Sequence, residues 1–490
     1  MAKFGKLNIQ YSMINIQFSM KKVVISFYFS LLTFNFFGQT INQKLQKAFT
    51  VFEKDSQLKH AISSLYVIDA NTGQVVFDKN SQVGLAPAST QKIITSVTAF
   101  ELLGKDYRYK TELGYIGAME NGSVNGNLFV IGNGDPTFGS WRWESTKPEN
   151  ILHHFTNAVR QKKIDFIRDS YCYGVRHFED ESIPDGWIWQ DLGNYYGAGA
   201  SALNWRENQF DIILSSGNKI GDSVKVVEAN LGSTKFPIIS EVRSAAKGTG
   251  DNAYAYLPVN SNNIVVRGTI PINEKRFSIS ATIIDPLYHF FRGFLDSLLH
   301  HRIDFGFKEQ RYSSVLNGNE IKSKLDTKIF HTYYSPTLDS IVYWFNKKSI
   351  NLYGEALIKT FAYEKKGFGS TDSGVVIVKN FWKEQGLDKE ELGIVDGSGL
   401  SPLNRVTTHS QVEILKYAKA KDWFPYFYNS LPEYNKMSMK SGTIRGVKGF
   451  CGYHKAKNGK EYIFSFLVNN YNGAASVLVN KMYKVLDNLK

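Results

Sequence analysis

Serine and lysine three residues apart can make a nucleophile and its base, and the chain carries such a pair at Ser89 and Lys92. Hydroxyls are poor nucleophiles and need an adjacent proton acceptor. An ordinary lysine, with a pKa of about 10.4, is protonated at neutral pH. Burial or a neighbouring cation lowers that value enough for Lys92 to take the Ser89 proton. A second pattern, Ser349-Ile350-Asn351, offers a hydroxyl to relay a proton and an amide to hold Lys92 or a substrate amide. A third, Lys440-Ser441-Gly442-Thr443, joins a cation and two hydroxyls to a glycine that lets another backbone lie close. Lys440 is also a candidate for the cation that depresses Lys92. Together these residues suit acyl transfer. Ser89 would be acylated, the amides of Ser89 and Thr443 would hold the oxyanion, and Lys440, Ser441 and Thr443 would bind a carboxylate.

Each pattern alone also has a plainer reading. Ser-x-x-Lys recurs at Ser19, Ser56, Ser216 and Ser244, and Ser-x-Asn recurs at Ser216 and Ser261. Ser89 could be a helix N-cap, Ser349 the cap of the next helix, and Lys440–Thr443 a turn after a strand. Context favours the chemical reading. Ser89 follows the loop Leu85-Ala86-Pro87-Ala88 and opens a segment in which Ile93, Ile94, Val97, Phe100 and Leu103 form one helix face, with Gly104 ending it. Ser89 and Lys92 then share a face, and the helix start supplies free N–H groups and a favourable dipole. Ser349 lies between two amphipathic segments, in a tight interhelical loop. Alternation over Tyr434–Gly442 reads as a strand with Lys440 and Gly442 on one side.

The elements that carry these residues come from both ends of the chain. Residues 41–54 have helical spacing of apolar residues. Ala61 to Asn80 reads as a hairpin around Asn71-Thr72-Gly73, and Gly449 to Tyr471 as another around Asn458-Gly459. The last sixteen residues or so again have helical periodicity. Between about 105 and 325 the sequence is rich in Gly, Asn and Ser with short β-like runs. The expected organisation is a catalytic domain from 39–104 and 326–490, interrupted by a mostly β insert at 105–325 that forms two nested domains.

The 490 residues carry a formal charge of +13. No dense Lys/Arg block accompanies it, so the charge reads as solvated surface rather than a nucleic-acid site. Cys172 and Cys451 make no disulfide framework. The histidine pairs His153-His154 and His300-His301 have no metal-ligand spacing, so no metal or other cofactor is expected. From Met20, two lysines precede the apolar run Val23–Phe37, followed by Gly38 and Gln39. That is the layout of a secretory leader. Residues 1–38 are thus read as an upstream extension plus a leader, with Met20 expected as the start. The expected location is the periplasm or cell envelope, either with the leader removed and the protein soluble or loosely attached to the envelope, or with the leader kept as an N-terminal anchor.

The order of the three motifs is the one found in β-lactamases and penicillin-binding proteins. Longer blocks narrow the resemblance: GNGDPTF (132–138), GWIWQDLGNYYGAGASALNW (186–205), SINLYGEAL (349–357), DGSGLSPLNRVT (396–407) and KSGTIRGVKGFCGY (440–453). From about residue 45 to its end the chain resembles the low-molecular-mass class C penicillin-binding proteins, the D-alanyl-D-alanine carboxypeptidases/endopeptidases of peptidase family S13. The resemblance implies an α/β (α+β) transpeptidase-like fold, with an antiparallel sheet flanked by helices and a large nested insert. It implies Ser89 as nucleophile, Lys92 as general base, Ser349 and Asn351 in proton transfer, and Lys440, Ser441 and Thr443 on the terminal carboxylate. It implies peptidoglycan stems and cross-links as substrates, and β-lactams as covalent inhibitors. The gap of about 255 residues between Lys92 and Ser349 argues against a small β-lactamase, the alternative activity. A catalytically silent wall-binding scaffold is the alternative outside the enzymes. Ile350 and Ser441 depart from the usual residues but keep the required groups. Asp135 is a candidate contact for the amino group of a wall diamino acid; the plainer reading is a turn-forming Asp-Pro.

Overall fold

The computed structural model describes residues 39–168, 173–174, 177–230, 237–259, 262–306 and 327–490. The leader and Cys172 lie outside these residues. Both ends of the chain build one antiparallel sheet. Its strands are β1 (Ile62–Asp69), β2 (Val75–Lys79), β3 (Met437–Ile444), β4 (Val447–Lys455) and β5 (Glu461–Asn469), in the spatial order β3-β4-β5-β1-β2, with the short strand Glu433–Tyr434 outside β3. The first and last parts of the sequence meet where Ile62 pairs with Asn469 and Asp69 with Tyr462. Gly73, at φ +73°, closes the first hairpin, and Gly459, at φ +83°, closes the second. Both turns fall where the Asn-Thr-Gly and Asn-Gly signals put them.

Helices cover both faces of this sheet. Helix α1 (Ile41–Glu53) begins with a capping box: Thr40 Oγ1 accepts from the Gln43 amide and Gln43 Oε1 accepts from the Thr40 amide. It buries Leu45, Phe49 and Phe52, which share one helix face, in a core with Phe466 and with Leu478 and Met482 near the C-terminus. The opposite face receives α2 (Lys92–Leu103), α3 (Leu338–Lys347), α4 (Asn351–Lys366) and α5 (Thr408–Lys419). The sequence reading gives α2 one apolar face. In the fold every residue from Lys92 to Phe100 is buried. Its polar residues are satisfied inside: Thr95 Oγ1 donates to the Gly397 carbonyl at 2.7 Å and Thr98 Oγ1 to that of Ile94 at 2.8 Å.

The middle of the chain has separate cores. One lies between a sheet that includes Lys110–Glu120, Ser123–Gly132 and Thr327–Tyr334 and two helices, Pro148–Gln161 and Pro286–His300, centred on Phe138, Phe155 and Phe290. The other lies between two small sheets and contains Ile212, Leu214, Val266 and Ile279. The expectation of a mostly β insert overlooked the two helices. Each starts with proline in its first turn, as helix N-termini allow, and each buries one apolar stripe. No helix among the described residues is long and apolar enough to cross a membrane.

Candidate active site

Ser89 sits in a single 3₁₀ turn, Ala88–Gln91, that runs directly into α2. The residue before it, Ala88, is held at φ +47°, a costly position for a side-chain-bearing residue. Two glycines make this turn possible. A Cβ on Gly399 would stand 2.0 Å from the Ala88 carbonyl oxygen, and one on Gly442 would stand 2.9 Å from the Ser89 nitrogen. Strand β3 therefore presses against the start of α2, which puts the Lys440–Thr443 corner beside the serine.

Lys92 is completely buried. Its Nζ lies 2.9 Å from Ser89 Oγ, 2.6 Å from Asn351 Oδ1 and 2.8 Å from the Ser398 carbonyl oxygen. Asn351 opens α4, and its Nδ2 donates to the Tyr196 carbonyl at 2.7 Å. That bond fixes the amide orientation, so Oδ1 is the atom that faces Lys92. Ser349, in the α3–α4 loop at φ +57°, accepts from Lys440 Nζ at 3.0 Å. Lys440 also donates to the Ser441 carbonyl at 2.8 Å. Ser349 is not a helix cap; the residue before α4 is Ile350, which caps with no side chain. The three motifs, from distant parts of the sequence, thus meet in one cluster made of two hydrogen-bonded groups, Ser89–Lys92–Asn351 and Ser349–Lys440.

Burial is the largest influence on both lysines. It holds Lys92 well below the ordinary lysine value, with the Lys440 cation adding to the effect and Glu355 and Asp396 opposing it. Burial brings Lys440 down to about 7, opposed by Cys451 and helped by Lys448. An amine in that state can accept a proton near neutral pH.

Sequence reasoning missed the support for this cluster. Asp396 is fully buried. Its Oδ1 accepts from Gln91 Nε2 at 3.0 Å, the Gly399 amide at 2.8 Å and Asn404 Nδ2 at 2.9 Å. Its Oδ2 accepts from Trp187 Nε1 at 2.9 Å and the Ser401 amide at 2.7 Å. The DGSGLS block is thereby folded into a tight loop that offers the Ser398 carbonyl to Lys92. Glu355 holds the same loop from below, accepting from the Gly397 amide at 2.9 Å. Its Oε1 is sealed beside Ser398 without hydrogen-bond geometry, and burial, then Asp396, push the carboxyl up to about 8. Glu355 falls one helical turn after Asn351, a spacing that could have flagged it. The Ser398 and Tyr196 carbonyls leave no sequence signal, because any residue supplies one.

Asp135 shares no hydrogen bond with the cluster. It is 2% exposed, and its Oδ1 accepts from the Thr137 amide at 2.8 Å and hydroxyl at 2.6 Å. Burial pushes it up to about 6. Its Oδ2 is buried without a hydrogen-bond partner.

Residues 45–489 match the D-Ala-D-Ala carboxypeptidase 3 (S13) family. The chain belongs to that family. It is a serine-type DD-carboxypeptidase, a hydrolase, as the motifs implied. A D-alanyl-D-alanine carboxypeptidase of Actinomadura sp. (strain R39) is 26% identical over 464 residues, covering 87% of this chain and 81% of the relative. The D-alanyl-D-alanine carboxypeptidase DacB of Haemophilus influenzae is 25% identical over 424 residues, covering 82% and 84%. The crystal structure of penicillin binding protein 4 (dacB) from Haemophilus influenzae superposes with a TM-score of 0.73 at 20% identity, covering 88% of this chain and 96% of that one. The S13 carboxypeptidase thus has the penicillin-binding fold, mixed α/β with antiparallel sheets.

Proposed function

We propose that this S13 enzyme is exported to the cell envelope and cleaves D-alanyl peptide bonds in peptidoglycan stems and cross-links through an acyl-enzyme on Ser89. One observation carries the reading. Lys92 Nζ has three neighbours, and two of them, Asn351 Oδ1 and the Ser398 carbonyl, can only accept. A neutral amine spends its two N–H groups on those oxygens. Its lone pair then faces Ser89 Oγ, which is the geometry a general base requires.

In this mechanism Lys92 takes the hydroxyl proton as Ser89 Oγ bonds to the D-Ala carbonyl carbon. The amides of Ser89 and Thr443 hold the oxyanion. Ser349, held by Lys440, passes its proton to the leaving nitrogen as the peptide bond breaks and takes up the proton that Lys92 received, so that Lys92 is neutral again before water attacks. Water then adds to the ester carbon, Lys92 again accepts a proton, and Ser89 leaves with its proton restored. Lys440, Ser441 and Thr443 bind the carboxylate of the leaving D-Ala or cross-linked diamino acid. The outer edge of β3 has no strand partner beyond Ser438 among the described residues, which leaves room for an extended peptide. The division into a catalytic domain (39–104 and 326–490) and a nested insert (105–325) is supported by their separate cores, and export by the leader composition.

β-Lactams, which mimic the acyl-D-Ala-D-Ala unit, should acylate the same serine. Incubation with a fluorescent penicillin and mass mapping of the labelled peptide tests the reading. The expected adduct is stable and lies on Ser89. Label on another residue refutes the nucleophile; rapid turnover of the penicillin points instead to a β-lactamase.

A further inference from the structure

The carboxylate corner holds a second ammonium that no motif includes. Lys448 lies in β4 directly across from Thr443 in β3. Its Nζ is 2.8 Å from Thr443 Oγ1. Its Nζ lies over the Phe450 ring, 4.8 Å from the centroid, and the residue is only 8% exposed. Among the described residues no Asp or Glu forms an ion pair with Lys448 or with Lys440. Two buried ammonium groups without a counter-ion are expensive to keep, and such groups normally have a charged partner. Neither lysine has a carboxylate partner among the described residues, which leaves both open to an anion from outside.

The hydrogen bond to Thr443 has a direction. An ammonium only donates, so Thr443 Oγ1 must accept from Lys448. The Thr443 hydroxyl hydrogen is then left to donate elsewhere. Thr443 is exposed, on the β3 edge that has no strand neighbour. A hydroxyl whose oxygen is held by a cation is a polarised donor, suited to a carboxylate.

We propose that Lys448 sets the enzyme's requirement for a free C-terminal carboxylate, fixing the Thr443 hydroxyl as a donor to it and adding a second positive charge beside Lys440. This rests on the placement of the terminal carboxylate at the Lys440–Thr443 corner in the reading above. Lys448 is a positioning residue that acts through Thr443, and it has no part in the proton transfers at Ser89.

The test compares hydrolysis of an N-acylated D-Ala-D-Ala peptide with that of its C-terminal carboxamide. The full-length enzyme and its Lys448→Met and Lys448→Arg variants are measured side by side. Charge-assisted hydrogen bonds are about twice as strong as neutral ones. Lys448→Met should therefore lose about ten-fold or more in kcat/KM for the acid, mainly through KM, with the carboxamide within about two-fold of the parent. Lys448→Arg, which keeps a cation that donates, should retain most of the parent's preference. Equal losses on acid and carboxamide in Lys448→Met would mean a purely structural lysine and overturn the proposal. An unchanged preference in that variant would overturn it too. Should Lys448→Met fail to fold, a Lys448→Arg enzyme with no acid preference would do the same. Penicillin labelling of each variant separates this question from the nucleophile: a missing Ser89 adduct in the parent refutes the acyl-enzyme assignment, whereas the acid-to-carboxamide ratio does not depend on which residue is acylated.

Discussion

Replacing Gly442 by alanine should disable acylation while leaving the protein folded. A Cβ at this position would lie 2.5 Å from the Pro87 carbonyl oxygen, 2.8 Å from the Thr90 nitrogen and 2.9 Å from the Ser89 nitrogen. Attractive contact begins near ~3.5 Å, so the new methyl overlaps these atoms by roughly 0.6 to 1.0 Å. All three belong to the backbone of the nucleophile turn. None can rotate aside like a side chain, so β3 and the turn must separate. Overpacking of this kind costs about 1–3 kcal/mol. The same separation moves the Ser89 amide away from Thr443, and losing one oxyanion donor costs about 10²–10³-fold. Gly442→Ala should therefore acylate about 100-fold more slowly in stopped-flow mixing with a fluorescent penicillin, and lose about 2 kcal/mol in urea unfolding. Gly446→Ala is the control on the same hairpin. Gly446 has φ +71° and nothing within 4 Å of the new Cβ, so it carries about 1–2 kcal/mol of backbone strain but should acylate at the parent rate. A folded Gly442→Ala enzyme acylating within about three-fold of the parent would refute the close-approach argument. So would an equal loss in Gly446→Ala.

Two further outcomes follow from the buried groups. Lys92, Lys440 and Lys448 all have folded values below that of the unfolded chain, Lys440 at about 7 and Lys448 at about 8. Between about pH 8 and 9.5 the unfolded chain thus binds more protons at these lysines, and their contribution to stability rises with pH, which urea midpoints at spaced pH values should record as an increase. A falling midpoint would contradict the burial of the three ammoniums. Asp396→Asn must turn an N–H group toward existing donors, since Oδ1 faces Gln91, Gly399 and Asn404 while Oδ2 faces Trp187 and Ser401. It should lose about 3 kcal/mol and slow penicillin acylation at least ten-fold; an unchanged urea midpoint would count against the loop's role in holding Lys92.

The parts of the site that were legible in the sequence are those set by local spacing. Ser89 and Lys92 lie one turn apart, the two hairpins carry Gly-containing turns, and Lys440 alternates with Gly442 along a strand. In each case a few bonds of backbone geometry decide the outcome. Asp396 and Lys448 were illegible for a different reason. The carboxyl of Asp396 matters because Trp187 and Gln91 arrive from elsewhere in the chain. Lys448 reaches Thr443 only because Ile444 pairs with Val447 across a two-residue Arg-Gly turn, and that register fixes every pair behind it. The overlooked helices at 148–161 and 286–300 lie in a stretch whose Gly, Asn and Ser content suggests loops and strands, so composition masked a 3.6-residue period that was present.

Three lysines are buried close together, yet only Lys92 is proposed as the base. Burial lowers all three, so desolvation alone does not distinguish them. The partners do. Lys92 meets two fixed, uncharged acceptors and one hydroxyl, a set that a neutral amine satisfies completely. Lys440 holds the Ser349 hydroxyl and Lys448 the Thr443 hydroxyl, and among the described residues neither has a carboxylate partner, so a bound anion would favour their charged forms. A charged Lys440 then acts on Lys92 in the direction that catalysis needs, because a neighbouring cation lowers the amine's proton affinity. In the proposed reaction the carboxylate that identifies the substrate would therefore also help to keep Lys92 free to act as base.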